Sequence, residues 1–136
     1  MKAISLWQPW ATAMALGIKK IETRSWSSWY TGDIAIHAAM KFTREARHFA
    51  EIECALGRLP NRLPFGVLLC VVNLKECDYA EDIVQNISAI ERLYGDYSPG
   101  RFAWITDNLR VFKEPIPYRG MQGIFEIPDS IIKEAL

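Results

Sequence analysis

The sequence has little of what metal, disulfide and export chemistries require. It carries 3 cysteines, Cys54, Cys70 and Cys77, and 2 histidines, His37 and His48. Neither set has the short paired spacings of a zinc site, and an odd cysteine count argues against a disulfide framework. No metal and no cofactor is expected. No apolar run approaches the roughly 20 residues of a membrane-spanning helix. The longest, Val67 to Val72, is strand length, and Cys70 inside it reads as a small buried residue. Met1 to Leu6 is too short, and too soon followed by Gln8 and Pro9, for a signal peptide. These absences point to a cytoplasmic protein that does not engage a membrane. Net charge is also missing, since 16 Lys and Arg balance 16 Asp and Glu. That argues against coating a nucleic-acid duplex through the overall field. There is no internal repeat and no low-complexity segment.

What is present is an ordinary globular balance: 136 residues, 50% hydrophobic and 24% charged. One domain over residues 1–136, with a single sizeable core, is the expectation. The charge is unevenly placed. Residues 1–62 hold nine Lys or Arg against five Asp or Glu, and residues 63–136 hold seven against eleven. An anion site is therefore expected to draw on the first half.

Taken in order, Lys2 to Leu6 reads as a short strand and Pro9 to Leu16 as a helix, with proline at its first position and Gly17 as a left-handed stop. The helix N-terminus, beside Ser5 to Gln8, suits an anion. A strand from Lys19 to Trp26 follows, then a second from Asp33 to Ala38. Thr43 to Leu56 has helical periodicity, and Phe65 to Leu74 is a continuous apolar strand buried on both sides. Tyr79 to Tyr94 reads as a second amphipathic helix. Arg101 to Thr106 and Leu109 to Ile116 read as strands joined by an Asp107-Asn108 hairpin turn. Ile124 to Ile127 is a last strand and Asp129 to Leu136 a terminal helix. Six or seven uneven strands with inserted helices make an α+β fold, and the glycine-punctuated short strands favour a small β-barrel.

The richest stretch runs from Gly17 to Trp26. Strand alternation puts Lys20, Glu22, Arg24 and Trp26 on one face and Ile21, Thr23 and Ser25 on the other. By residue type alone this is a solvated charge ladder worth a few tenths of a kcal/mol. Tryptophan adds a second signal: 5 occur in the chain, four of them at positions 7, 10, 26 and 29. Trp104 and at least one early tryptophan are expected in the core. His37 reads either as a satisfied buried histidine or as a base-contacting or proton-handling group near the central strand.

The pattern Gly17-x-Lys19-x-x-Glu22-x-Arg24, after Ser5-Leu6-Trp7-Gln8-Pro9-Trp10, closely resembles the ASCH family of PUA-like barrels. The resemblance extends through Trp26, Tyr30-x-Gly32, Ile36-His37-Ala38, Gly100-Arg101-Phe102-Ala103-Trp104 and Pro117 to Gly123. It implies a small barrel with a cleft beside the motif strand, binding RNA, single-stranded nucleic acid or a modified nucleoside. The implied ligand-binding residues are Trp7, Gln8, Trp10, Lys19, Glu22, Thr23, Arg24, Trp26 and His37. Their chemistry fits: Lys19 and Arg24 can meet phosphate or a base edge, Glu22 can accept from an exocyclic amine, and the indoles can stack a base.

Some small members of this family are amidohydrolases acting on N4-acetylcytidine, said to use a lysine, a threonine three residues later and a distant glutamate. Lys19 matches the first position. Glu22 occupies the second, with Thr23 one residue on, and Glu76 and Glu81 are candidates for the third by rough position only. If the chain is a hydrolase or ribonuclease, Lys19 and Glu22 are the catalytic candidates, with Glu22 as base on a water. An ion pair between them serves binding better than proton abstraction. A protein-interaction domain is the remaining alternative.

Overall fold

Alternation along Lys2–Leu6 makes β1 a strand with a core on each face: Ala3 packs into one apolar cluster, Ile4 and Leu6 into the other. The computed structural model describes residues 1–136. In chain order it contains β1, α1 (Trp10–Ala15), β2 (Ile21–Arg24), β3 (Gly32–Ala38), α2 (Arg44–Ala55) and β4 (Val67–Tyr79). Then come α3 (Ala80–Ile83), α4 (Ala89–Leu93), β5 (Phe102–Pro117), β6 (Ile124–Glu126) and α5 (Asp129–Ala135). All six strands form one sheet in the order β2-β5-β4-β3-β1-β6, with only β1 and β3 parallel. The sheet curls into a half-barrel, so the chain has the expected α+β architecture. No helix is long and apolar enough to cross a membrane.

β4 organises both cores because its residues face both sides of the sheet, with an irregularity in the pairing between Leu68 and Cys70 that leaves Leu69 and Cys70 on the same side. Leu69, Cys70, Val72 and Leu74 join Met14 of α1 and Trp104 on one side. Leu68 and Val71 join Phe112, Phe125 and Ile132 of α5 on the other. Burial pushes the Cys70 thiol up to about 12, so it is a small apolar filler there. A third cluster, Ala13, Leu59 and Tyr94 with Trp10 and Phe49 against it, cements α1, α2 and α4.

Two predicted elements are corrected. The helix expected over Tyr79 to Tyr94 is split: Tyr79 still belongs to β4, a short 3-10 turn covers Val84–Asn86, and Ile87 is extended. Ser88 then restarts the helix as an N-cap, its hydroxyl accepting from Glu91 N at 3.2 Å. The hairpin at Asp107-Asn108 does not exist, because β5 is a single strand of 16 residues. Asp107 stays paired with Asn73 and Arg110 with Val71, and the surplus residue is absorbed as a bulge in which Asn108 takes φ 52°. Turn chemistry and bulge chemistry use the same residue types, since both need a left-handed φ.

The N-terminus of α1 is also not the open anion site expected. Pro9 is its N-cap, with φ −88°, and not its first helical residue. Ala11 N donates to Trp7 O at 3.1 Å and Thr12 N to Gln8 Oε1 at 2.9 Å, so the first free amides are already taken.

Candidate functional site

The motif begins at the helix stop. Gly17 adopts φ +75°, a conformation costly for residues with a Cβ, and lets Gly17 N and Ile18 N close on Met14 O and Ala13 O. The chain then turns through Lys19 and Lys20 before β2 starts at Ile21. Lys19 is thereby swung inward, only 1% exposed, while Lys20 stays at the surface. Lys19 Nζ donates to Tyr94 O at 2.8 Å and lies 3.5 Å from Glu22 Oε1. From the other side Arg24 Nη1 reaches Glu22 Oε2 at 3.1 Å. The carboxylate of Glu22 is thus clamped between a buried ammonium and a guanidinium. Burying such charges is costly unless each is paired and hydrogen-bonded, and here each is.

Arg24 is positioned by aromatics as well. Its guanidinium lies 5.4 Å from the Trp26 ring centre and 5.8 Å from that of Trp104. Those two indoles meet edge to face at 4.8 Å, and Trp104 Nε1 donates to Trp26 O at 3.0 Å. Arg24 Nη1 also approaches Ser5 O at 3.5 Å. β2 is first in the sheet order and β1 fifth, so this contact exists only because the sheet curls.

In front of the clamp opens a cleft of about 590 Å³, within the range that takes a small organic ligand. Glu22, Thr23 and Arg24 form its floor, Trp7, Trp10 and Trp26 stand along it, and the 93–96 segment with Arg101 closes the far side. Trp10 stacks on Phe49 at 5.7 Å, and Trp7 is 45% exposed. Arg101 donates to Thr23 O and Asp96 O, both at 3.1 Å. Hydrogen bonds from Ser98, with Arg101 nearby, hold the Asp96 carboxyl below its ordinary range. Burial raises the Tyr97 phenol, and the charges of Glu91 and Glu22 add to the effect.

The expected ligand residues divide into three groups. Trp7, Trp10, Glu22, Thr23, Arg24 and Trp26 converge on the cleft, with Lys19 directly behind Glu22. Thr23 is largely buried and its Oγ1 accepts from Asp96 N at 2.9 Å, so it serves to hold the far wall. Gln8 points elsewhere: fully buried, its Nε2 donates to Thr12 Oγ1 and Pro64 O, both at 2.7 Å. His37 is not in this cleft either. It is 1% exposed, with Nδ1 2.8 Å from Ser5 Oγ and Nε2 2.7 Å from Tyr118 O, and burial depresses its basicity. Trp29 is 70% exposed beside Lys2, away from the cleft. Glu76 is exposed on β4 opposite Ile105, and Glu81 accepts from Gly100 N at 3.3 Å, so neither carboxylate lines the cleft. Ser5, Tyr94, Asp96 and Arg101 were not anticipated as site residues. Two of them had a signal: Arg101 in its place in the Gly100 to Trp104 segment, and Ser5 at the head of the Ser5 to Trp10 stretch.

Known proteins share both pattern and fold. The sequence model of the ASCH domain matches residues 4–116. Activating signal cointegrator 1 from Homo sapiens and from Mus musculus are each 27% identical to this chain over 135 residues. The match covers 94% of this chain but 22% of theirs, so the chain spans about a fifth of the length of these relatives. A crystal structure of ASCH from Zymomonas mobilis superposes with a TM-score of 0.60 at 17% identity, covering 98% of this chain and 91% of that one. A Tyr-to-Phe variant of the same bacterial protein gives 0.59, covering 98% and 94%. With the family pattern matched over most of its length and carried on the same half-barrel, this chain belongs to the ASCH domain family.

Proposed function

We propose that this domain binds RNA or other single-stranded nucleic acid, taking a nucleobase into the cleft beside Glu22. The observation that carries this reading is the clamp itself. Glu22 is fixed between Lys19 and Arg24 and faces a cleft bordered by three indoles. A rigid carboxylate accepts from the exocyclic amine of cytosine or adenine, and guanidinium groups donate to a base edge or to phosphate. Aromatic walls hold the flat face of a base, for about 1–3 kcal/mol per stack. Binding is favoured over hydrolysis because both carboxylates lining the cleft, Glu22 and Asp96, are already paired with cations.

Fluorescence anisotropy with labelled eight-nucleotide RNA and DNA strands tests the reading. Arg24→Ala and Trp26→Ala are expected to weaken binding about tenfold or more, and affinity is expected to fall with added salt. Absence of binding to every strand, or binding indifferent to salt and to both substitutions, removes it. Chromatography of the same samples with N4-acetylcytidine and with RNA checks for turnover. Product formation lost in Glu22→Gln would replace binding by catalysis.

A further inference from the structure

A second cavity of about 810 Å³ lies against the first. Ser5, near the C-terminal end of β1, lines both. A second link runs along the rim: Lys41 Nζ sits 4.9 Å from the ring centre of Trp7, a wall of the first cavity, and Lys41 follows Met40, a wall of the second. We propose that the two cavities form one groove for a single strand of at least two consecutive nucleotides, with Arg119 in the second cavity receiving a phosphate. The inference rests on the nucleic-acid reading above and names its substrate class as a strand and not a free nucleoside.

The second cavity is built on a fixed floor. His37 Nε2 meets a carbonyl oxygen, Tyr118 O, so this nitrogen carries the ring proton and Nδ1 accepts from the Ser5 hydroxyl. That pair ties β1 and β3 to the strap from Pro117 to Gln122. Gly120 lies directly on it: a Cβ there would fall 2.6 Å from both Ser5 Oγ and His37 Cε1. The strap is therefore held against the sheet, and its outer side chains, Arg119 and Met121, are left exposed.

Charge separates the groove from the neutral molecule as a whole. No carboxylate lines the second cavity, and Arg119 makes no ion pair. In the first cavity both carboxylates are paired, as shown above. Along the whole groove the uncompensated charge is thus positive, from Arg119 and from Lys41 at the rim, which suits a phosphate backbone. Exposed apolar surface accompanies it. Met40 is 72% and Met121 57% exposed, flanking Tyr118, which gives a second base a face to lie on.

The test is a length series measured by isothermal titration calorimetry: nucleosides, dinucleoside monophosphates and octanucleotides of A, C, G and U. The expected result is an affinity gain of tenfold or more from nucleoside to dinucleotide. Arg119→Ala and Met121→Ala, both at exposed positions, are expected to abolish that gain while leaving nucleoside binding unchanged. Each phosphate engaged should also steepen the salt dependence by about 0.7 in log–log slope, and Arg119→Ala should return that increment. Equal affinity across the series, or no effect of Arg119→Ala on the longer probes, overturns the groove while the cleft reading survives. Preference for a duplex over a single strand overturns it as well. No binding to any probe, nucleosides included, overturns both.

Discussion

The carbonyl oxygen of Tyr94 accepts a hydrogen bond from Lys19 Nζ at 2.8 Å, while its phenol donates to Glu53 Oε1 at 2.7 Å. One residue at the end of α4 thus joins the charged clamp to helix α2. The motif lysine is consequently a structural member of the site as much as a chemical one. Replacing it with the similarly sized Met leaves Tyr94 O without a donor and Glu22 with Arg24 alone. Removing one member of a largely buried pair costs about 3–5 kcal/mol, and the partial exposure of Glu22 puts the expectation near the lower end. Lys19→Met should lower the urea midpoint accordingly. A loss under about 1 kcal/mol would mean that the lysine acts only on ligand.

The other end of that link is sensitive to acid. Arg58, bonded to Glu53 at 2.6 and 3.0 Å, holds the Glu53 carboxyl below its ordinary value against the opposing effect of burial, and the Tyr94 hydroxyl adds to the lowering. A carboxylate with a depressed folded-state pKa contributes stability above its unfolded value of about 4.5, lost as pH falls through the folded value. Unfolding free energy should therefore decline below pH 4.5, with a shallower decline in Glu53→Gln. Parallel urea titrations between pH 3 and pH 6 measure the difference. Identical acid slopes for the two proteins would show that the ion pair contributes nothing there.

Much of this architecture was legible because it obeys simple periods. The strands at Lys2 and Asp33, the helix after Thr43 and its glycine stop all stand within a residue or two of where pattern puts them. Errors arose where one chemistry serves two geometries. Asp107-Asn108 marks a bulge, not a turn, and the apolar spacing from Ile83 to Leu93 runs across a break that Ser88 makes by capping a new helix. Alternation nominated Lys20 because it treats the strand as beginning at Lys19. The strand begins at Ile21, so the turn before it, not the pleat, aims Lys19 at Glu22. Arg101, Asp96 and Ser5 reach the cleft through long-range pairing of β2 with β5 and through the curl of the sheet. No local pattern encodes such contacts.

His37 gives a titration in a different window. Burial lowers its pKa below the ordinary 6.5, outweighing the opposing effect of the Tyr118 carbonyl. The neutral ring is therefore the folded form, and the unfolded chain takes up a proton first as pH drops. Stability contributed by His37 is present above about pH 6.5 and declines as pH falls from there toward the folded value. An NMR titration of the imidazole should give a midpoint below 6.5, and His37→Gln should flatten the stability profile between pH 7 and pH 5. A midpoint above 6.5 would contradict the neutral tautomer on which the floor of the second cavity depends.

Gly120 offers the sharpest steric test of that floor. Its backbone φ is not among the positive values of this chain, so alanine meets no backbone strain there. The obstacle is space alone: an added Cβ would lie 2.6 Å from Ser5 Oγ, 2.6 Å from His37 Cε1 and 2.8 Å from His37 Nδ1. His37 cannot yield, being buried and tied at both nitrogens, so the strap must lift or the Ser5–His37 bond must break. Overpacking of this kind costs typically about 1–3 kcal/mol. Gly120→Ala should therefore lose stability in that range and move the His37 titration toward 6.5 as the ring is opened to solvent. Gly123→Ala is the control, since nothing lies within 4 Å of its Cβ position but its φ is +67°. It should lose stability through backbone strain of about 1 kcal/mol and leave the His37 titration unmoved. Equal behaviour of the two variants in the NMR titration would show that Gly120 does not press on the Ser5–His37 pair.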